Sequence, residues 1–269
     1  MIMRRFAIVL FLIVSTLSVS AKGVDGTVVK SESRYPVIGL WKHNYITTGF
    51  ATNHRITKNT SDIKFQFSIA LRLWHIKEDW DIIATYSQRS IWDAYKKSAP
   101  FRENAYNPAF WAVWQTKDNL RLLFGIEHES NGLGNTNTRS LNVASVACLY
   151  EPFDHWKFGG RVWYGIFHGQ DEQLNQAYFN YRGIMQLWGT FHAIDERLQI
   201  TALVNPSLNF TKYRVQLEAS WRLAKRKDWL PSLFVQYCYG YGETMIDYNR
   251  CSSKIRIGIS LTNNNLNFY

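Results

Sequence analysis

Apolar and polar residues alternate through almost the whole chain. In Lys64–Trp74, Phe65, Phe67, Ile69, Leu71 and Leu73 share one parity, while Lys64, Gln66, Ser68 and Arg72 share the other. In Tyr213–Leu223 the apolar parity holds Tyr213, Val215, Leu217, Ala219, Trp221 and Leu223, against Arg214, Gln216, Glu218, Ser220 and Arg222. Ile255, Ile257, Ile259 and Leu261 repeat the pattern beside Lys254, Arg256, Gly258 and Ser260. Successive side chains of a strand point to opposite faces, so period two over about ten residues predicts strands with one apolar face. Strands are expected near 44–51, 63–74, 79–92, 107–115, 120–130, 141–150, 155–167, 178–192, 197–206, 212–223, 230–243 and 253–262. With no repeat of fixed length and no dividing linker, they predict one all-β domain, a twelve-stranded antiparallel transmembrane β-barrel. A soluble sandwich or lipocalin-like barrel would also alternate. Against it stand the length and number of the strands, the Trp and Tyr rimming the apolar face, and the aromatic end Leu266-Asn267-Phe268-Tyr269.

Composition agrees with a barrel. The 269 residues are 46% hydrophobic, 16% aromatic and 19% charged, with 6 prolines, which excludes disorder and low-complexity polymer. The aromatic share is high for a soluble enzyme, and a mean hydropathy of -0.26 is low for a helical membrane protein. At the front, Arg4 and Arg5 precede an apolar run from Phe6 to Val14 and a small-residue end at Val19-Ser20-Ala21, the pattern of a secretory signal peptide over residues 1–21. That run is short of the ~20 residues an anchoring helix needs. Residues 22–43 are expected to form an N-terminal periplasmic segment and 44–269 the barrel. Removing the two arginines lowers the formal charge of +10 by two. The positives never gather into a run, so anionic lipid head groups suit them better than nucleic acid. Cys148, Cys238 and Cys251 are odd in number and lack metal-ligand spacing.

Candidate chemistry lies where polar groups break the apolar parity. Leu122, Phe124 and Ile126 form the apolar face of the fifth predicted strand, and the same parity continues to His128 and Ser130. Residues i and i+2 lie ~6.6 Å apart on one face, so the imidazole can reach the hydroxyl, a nucleophile beside its base. Asn142 shares the parity of Ala144, Val146 and Cys148 on the next strand, and antiparallel pairing can bring it level with His128. Its amide can orient the ring, as a carboxylate does in the common triad. Backbone N–H groups near Ser130 and Gly132 are candidate oxyanion donors. Gln88 follows the apolar parity of Ile82, Ala84 and Tyr86, so a costly unpaired amide is expected to face lipid.

The segment Glu127-His128-Glu129-Ser130-Asn131-Gly132, followed by Arg139-Ser140-Leu141-Asn142, resembles the active-site hairpin of the outer membrane phospholipase A family. The likeness extends, in the family's order, to Tyr86-Ser87-Gln88-Arg89-Ser90, to Ser98-Ala99-Pro100-Phe101-Arg102-Glu103-Asn104, to Tyr106 and Pro108, and to the stretch Gly240–Asn249. It implies a twelve-stranded barrel in the outer membrane of a Gram-negative bacterium, among phospholipid and lipopolysaccharide. The implied activity is Ca²⁺-dependent hydrolysis of glycerophospholipid acyl esters, of A1, A2 and lysophospholipase type, by a homodimer.

By the same resemblance Ser130 is the nucleophile, His128 the general base, Asn142 the orienting amide and Gln88 a dimer contact. Calcium would be held by the Thr138 hydroxyl, the Leu133 carbonyl and, from the partner subunit, a Ser98 carbonyl. Asp171 would assist a second calcium arrangement, whose neighbour here is the neutral Asn135. Glu129 stands where the family often has Asp, on the inward parity. Two other functions would share the compartment: a porin-like channel and a lipid A deacylase.

Overall fold

A computed structural model describes residues 37–76, 79–116, 119–134, 137–166, 171–193, 197–223, 231–261 and 268–269. The segment read as a signal peptide lies outside the described residues. The elements are β1 (Ile38–Leu40), β2 (Asn44–Ala51), β3 (Ser61–Ile76), β4 (Trp80–Trp92), β5 (Phe101–Gln115), β6 (Leu120–Ser130), β7 (Ser140–Phe153), β8 (Trp156–Gly165), α1 (Asp171–Arg182), β9 (Met185–Ala193), β10 (Leu198–Pro206), β11 (Tyr213–Arg222), β12 (Ser232–Gly240) and β13 (Ser252–Leu261).

Strands β2 to β13 pair antiparallel with their sequence neighbours, and β13 pairs with β2, so twelve strands close into a barrel. Short β1 is an addition: it continues along the edge of β3 that β2 occupies, with Leu40 opposite Ile69.

The barrel is inside out relative to a soluble protein. Phe67, Ile126 and Ile257 are 50%, 65% and 61% exposed, whereas Lys64 and Arg256 are each 1% exposed in the lumen. An apolar outer wall with a polar filling is what period two produces when the outer solvent is lipid. Aromatic pairs ring both rims: Trp80 stacks on Trp114 at 5.8 Å near one end, and Trp92 on Phe101 at 5.7 Å near the other. The connections also differ by end. The turn at 154–155 is tight, while 52–60, 93–100 and 241–251 are longer loops at the opposite end.

Three departures from the sequence pattern have local causes. In β3 the register shifts between Arg72 and Trp74, and the parity flips with it. Trp74 and Ile76 therefore face outward, and Leu73 leaves the apolar face it was expected to share. The strand expected at 178–192 is helical through Arg182 and extended only from Met185. Tyr178 and Phe179 of α1 are buried against Leu141, Val143, Trp163 and Met245, a cluster no outward face would need. Gly183 ends the helix at φ +76°, where an added Cβ would meet the Pro206 carbonyl oxygen at 1.8 Å.

The aromatic end is the third departure. Strand β13 ends at Leu261, and Phe268 is buried inside the barrel, its ring 4.6 Å from Trp41, 5.3 Å from Trp111 and 5.5 Å from Trp188. The Tyr269 hydroxyl meets Thr201 Oγ1 at 2.9 Å and accepts from Gln199 Nε2 at 3.0 Å. These residues fill the lumen. Above them runs an ionic network in which Arg256 joins Asp62 at 2.8 Å and Glu243 at 2.7 Å.

Candidate active site

The β6–β7 hairpin brings the candidate residues together at the long-loop end. Register pairs His128 with Asn142 and Ser130 with Ser140. Leu123 and Glu127 are buried in the lumen, whereas Phe124 and Ile126 are exposed, so His128 and Ser130 continue the outward parity. His128 Nε2 lies 3.1 Å from Ser130 Oγ, and His128 Nδ1 lies 2.8 Å from Asn142 Oδ1. An amide oxygen only accepts, so it fixes the proton on Nδ1 and leaves the Nε2 lone pair toward the hydroxyl. The three groups form one hydrogen-bonded line on the outer wall, beside exposed Ile126 and Val146.

Groups on the lumen side hold that line in place, and the search for outward polar residues missed them. Glu127 receives Arg161 Nη1 at 2.8 Å and Ser145 Oγ at 2.5 Å. Glu129 accepts from Arg182 and stands 3.9 Å from Arg89. Each carboxylate is one residue from His128, so strand parity alone could have marked both as inner anchors. On the other flank, Tyr106 pairs with Ser130 and Ala109 with Glu127, which sets Pro108 opposite His128. Proline cannot donate to the ladder. The His128 carbonyl accepts instead from Asn107 Nδ2 at 3.1 Å.

The loop beyond Ser130 is tied by Asn131, whose Oδ1 accepts from Arg139 N at 3.0 Å and whose Nδ2 donates to the Asn137 carbonyl at 2.8 Å. Gly132, at φ +64°, passes close to Tyr106: a Cβ there would lie 3.2 Å from the ring. A left-handed backbone beside an aromatic ring favours glycine there.

The other predicted positions are scattered over this end of the barrel. Leu133 and Thr138 share the β6–β7 loop, with Leu133 exposed and the Thr138 carbonyl accepting from Arg139 Nη1 at 2.7 Å. Ser98 is exposed at φ +65° in the loop 93–100. Lys96 and Arg102 bind Asp93 in that loop; partial burial works to raise its carboxyl, but these two cations hold it below the usual range. Asp171 is the first residue of α1, and Asn135 lies outside the described residues. Among the described residues no group of three or more His, Cys, Asp or Glu gathers as a metal site.

Gln88 keeps the outward parity of Ala84 and Tyr86. Its Oε1 accepts from the Tyr86 hydroxyl at 3.1 Å and its Nε2 donates to Ser90 Oγ at 3.2 Å. The outward-facing amide has partners in its own subunit.

Known proteins resemble the chain in sequence and in fold. A family model described as Phospholipase A1 matches residues 30–261. The chain is 28% identical over 244 residues to a Phospholipase A1 of Salmonella typhimurium, covering 79% of this chain and 80% of the relative. Its fold is similar to the outer membrane phospholipase dimer of Salmonella typhi with bound calcium, at a TM-score of 0.73 and 23% identity, over 84% of this chain and 92% of that one. The outer membrane phospholipase A of Escherichia coli gives the same TM-score of 0.73 at 24% identity, over 84% and 99% of the two chains.

Proposed function

The chain belongs to the phospholipase A1 family, and from that premise we propose that it hydrolyses the acyl esters of glycerophospholipids on its outer wall, with Ser130 as nucleophile, His128 as general base and Asn142 as orienting amide. A phospholipase with this barrel is an outer-membrane enzyme of a Gram-negative bacterium. The observation that carries the mechanism is the line Ser130–His128–Asn142, with links of 3.1 and 2.8 Å, on a wall that faces acyl chains.

Chemistry follows from those contacts. Ser130 Oγ attacks the ester carbonyl as His128 Nε2 takes its proton, and Nδ1–H stays on Asn142 Oδ1 to hold the ring. Backbone N–H groups at Ser130 and Gly132 face the developing oxyanion, in the low dielectric of the lipid interface. The tetrahedral species collapses to an acyl-Ser130 ester as His128 returns the proton to the leaving lysophospholipid oxygen. Water, deprotonated by His128, then releases the fatty acid and restores the serine. Fatty acid release from diacyl glycerophospholipid in mixed micelles, assayed beside lipid A, tests the substrate class: release from lipid A alone would reject it.

Asn142 is neutral, so its part is to fix a tautomer and a ring angle. Asn142→Ala is expected to lower kcat about tenfold, far less than loss of the nucleophile, because base and hydroxyl stay in place. Steady-state kinetics on the variant checks this, and a loss as large as that of Ser130→Ala would mean that the amide does more than orient.

Calcium is the proposed cofactor. The donors are Thr138 Oγ1, the Leu133 carbonyl and Ser98 of the partner subunit, with Asp171 for a second arrangement; all are hard oxygens, which fits Ca²⁺ in kind, while the β6–β7 loop itself brings no carboxylate. Bound there, the cation would supply positive charge for the oxyanion.

Outer-membrane barrels carry short turns on the periplasmic side and long loops outside, which supports an active site toward the outer leaflet. Lipopolysaccharide normally fills that leaflet, so phospholipid would arrive only when the membrane is disturbed. An epitope inserted after Leu133 is expected to bind antibody on intact cells; binding only after permeabilisation would reverse the orientation.

The homodimer is proposed by likeness to the dimeric relative, with Gln88 near the contact. Since Tyr86 and Ser90 already satisfy this amide, an intersubunit bond adds little, about 0.6 kcal/mol for polar contacts in membranes. Gln88→Ala should weaken the dimer roughly threefold. Unchanged cross-linking yield in detergent would remove Gln88 from the interface.

A further inference from the structure

Behind the catalytic strand a cavity of about 70 Å³ opens inside the barrel, and its charges do not balance. Its lining carries the cations Lys42, Lys64, Arg89, Arg161, Arg182 and Arg214 against the carboxylates Glu129 and Glu218. Lys64 pairs with Glu243 at 3.1 Å, Arg161 with Glu127 at 2.8 Å, and Glu218 meets His43 at 3.0 Å. Glu129 binds Arg182 and faces Arg89 at 3.9 Å. Glu103 also acts on Arg89, but its oxygens accept from Met245 N at 3.0 Å and Ile246 N at 2.7 Å.

Among the described residues no carboxylate lies within ion-pair distance of the remaining two cations. Lys42 donates to Asn107 Oδ1 at 3.0 Å. Arg214, only 9% exposed, donates to Asn205 Oδ1 at 2.8 Å and to the Gly242 carbonyl at 3.4 Å, and its Nε is buried without a partner. The charged groups acting most strongly on it are Arg89 and Arg182, both repulsive. A buried guanidinium with neutral partners and like-charged neighbours is unfavourable unless a negative charge joins it.

We infer that this cavity binds a small inorganic oxyanion of the phosphate or sulfate class, held by Arg214 with Arg89 and Arg182. Guanidinium groups suit the oxygens of such an ion, three of them line this one space, and its charge offsets the excess. The cavity lies inside the barrel, walled mostly by inward strand faces with Lys42, His43, Arg182 and Tyr269 from other segments, so the ion comes from solution and not from a lipid. Arg89 and Arg182 also hold Glu129, which stands between His128 and Ser130 in the chain. An anion there therefore braces the lumen side of the active site.

Inorganic phosphate titrated calorimetrically into the detergent-solubilised, calcium-free barrel, at ionic strength kept constant with chloride, tests the site. Saturable one-to-one binding is expected for the wild type, weakened about tenfold in Arg214→Gln, the effect of losing one charge-assisted contact. Lys42→Met alters a residue outside the barrel strands and should weaken binding about threefold, which keeps the test decisive if Arg214→Gln does not fold. No saturable binding, meaning a cavity that holds water only, would overturn the inference. So would equal affinity in wild type and the variants, which would indicate an adventitious ion only.

Discussion

Ser130→Ala is expected to lower fatty acid release by about 10⁴-fold or more while the barrel stays folded. Removing the nucleophile of a hydrogen-bonded catalytic unit costs about as much as removing the whole unit, because the base then has nothing to activate. The stability cost is small by comparison. The side chain faces lipid, and its described partner is His128 at 3.1 Å, so the loss is one hydrogen bond, about 1 kcal/mol. Activity and thermal unfolding measured on the same preparation separate the two effects: wild-type turnover in the variant would refute the assignment, and a collapsed melting transition would show a structural role.

Calcium removal is the second large effect. Excess chelator is expected to lower hydrolysis by about 10²-fold or more, the usual scale for withdrawing a charge that stabilises an oxyanion. The proposed donors on the β6–β7 loop are a hydroxyl at Thr138 and a carbonyl at Leu133, and Asn135 brings no negative charge. A hard cation held by few charged oxygens binds loosely, in the range of about 10⁻⁴–10⁻³ M. Thr138→Ala should move the calcium titration to higher concentration, about tenfold, with the same maximal rate. Full activity in excess chelator, or superimposable curves for the two proteins, would reject the site.

Period two was enough to find the barrel, because lipid outside and a polar lumen inside impose the same alternation on every strand. It also placed Ser130, His128 and Asn142 on one outward patch, since each keeps the parity of apolar neighbours. It was blind wherever the backbone left that period. The bulge after Arg72 exchanged Leu73 for Trp74 on the outer face. Tyr178 and Phe179 read as strand residues, but α1 buries both beneath the loops at the barrel mouth. Phe268 was legible only as part of an aromatic end, and its packing among Trp41, Trp111 and Trp188, three rings that lie far apart in sequence, was not. The clamp from Arg161 on Glu127 and from Arg182 on Glu129 was hidden for the same reason: alternation assigns a charge to the lumen without naming its partner.

The central claim is that Ser130 forms a covalent bond to the acyl group on the lipid-facing wall. A long-chain alkyl phosphonate with a good leaving group, incubated with the enzyme in micelles and followed by peptide mass spectrometry, tests this most directly. The account predicts one adduct per chain on the peptide that contains Ser130, none in Ser130→Ala, and much slower labelling in His128→Ala. An adduct on another residue, or labelling of Ser130 at an unchanged rate without His128, would contradict it.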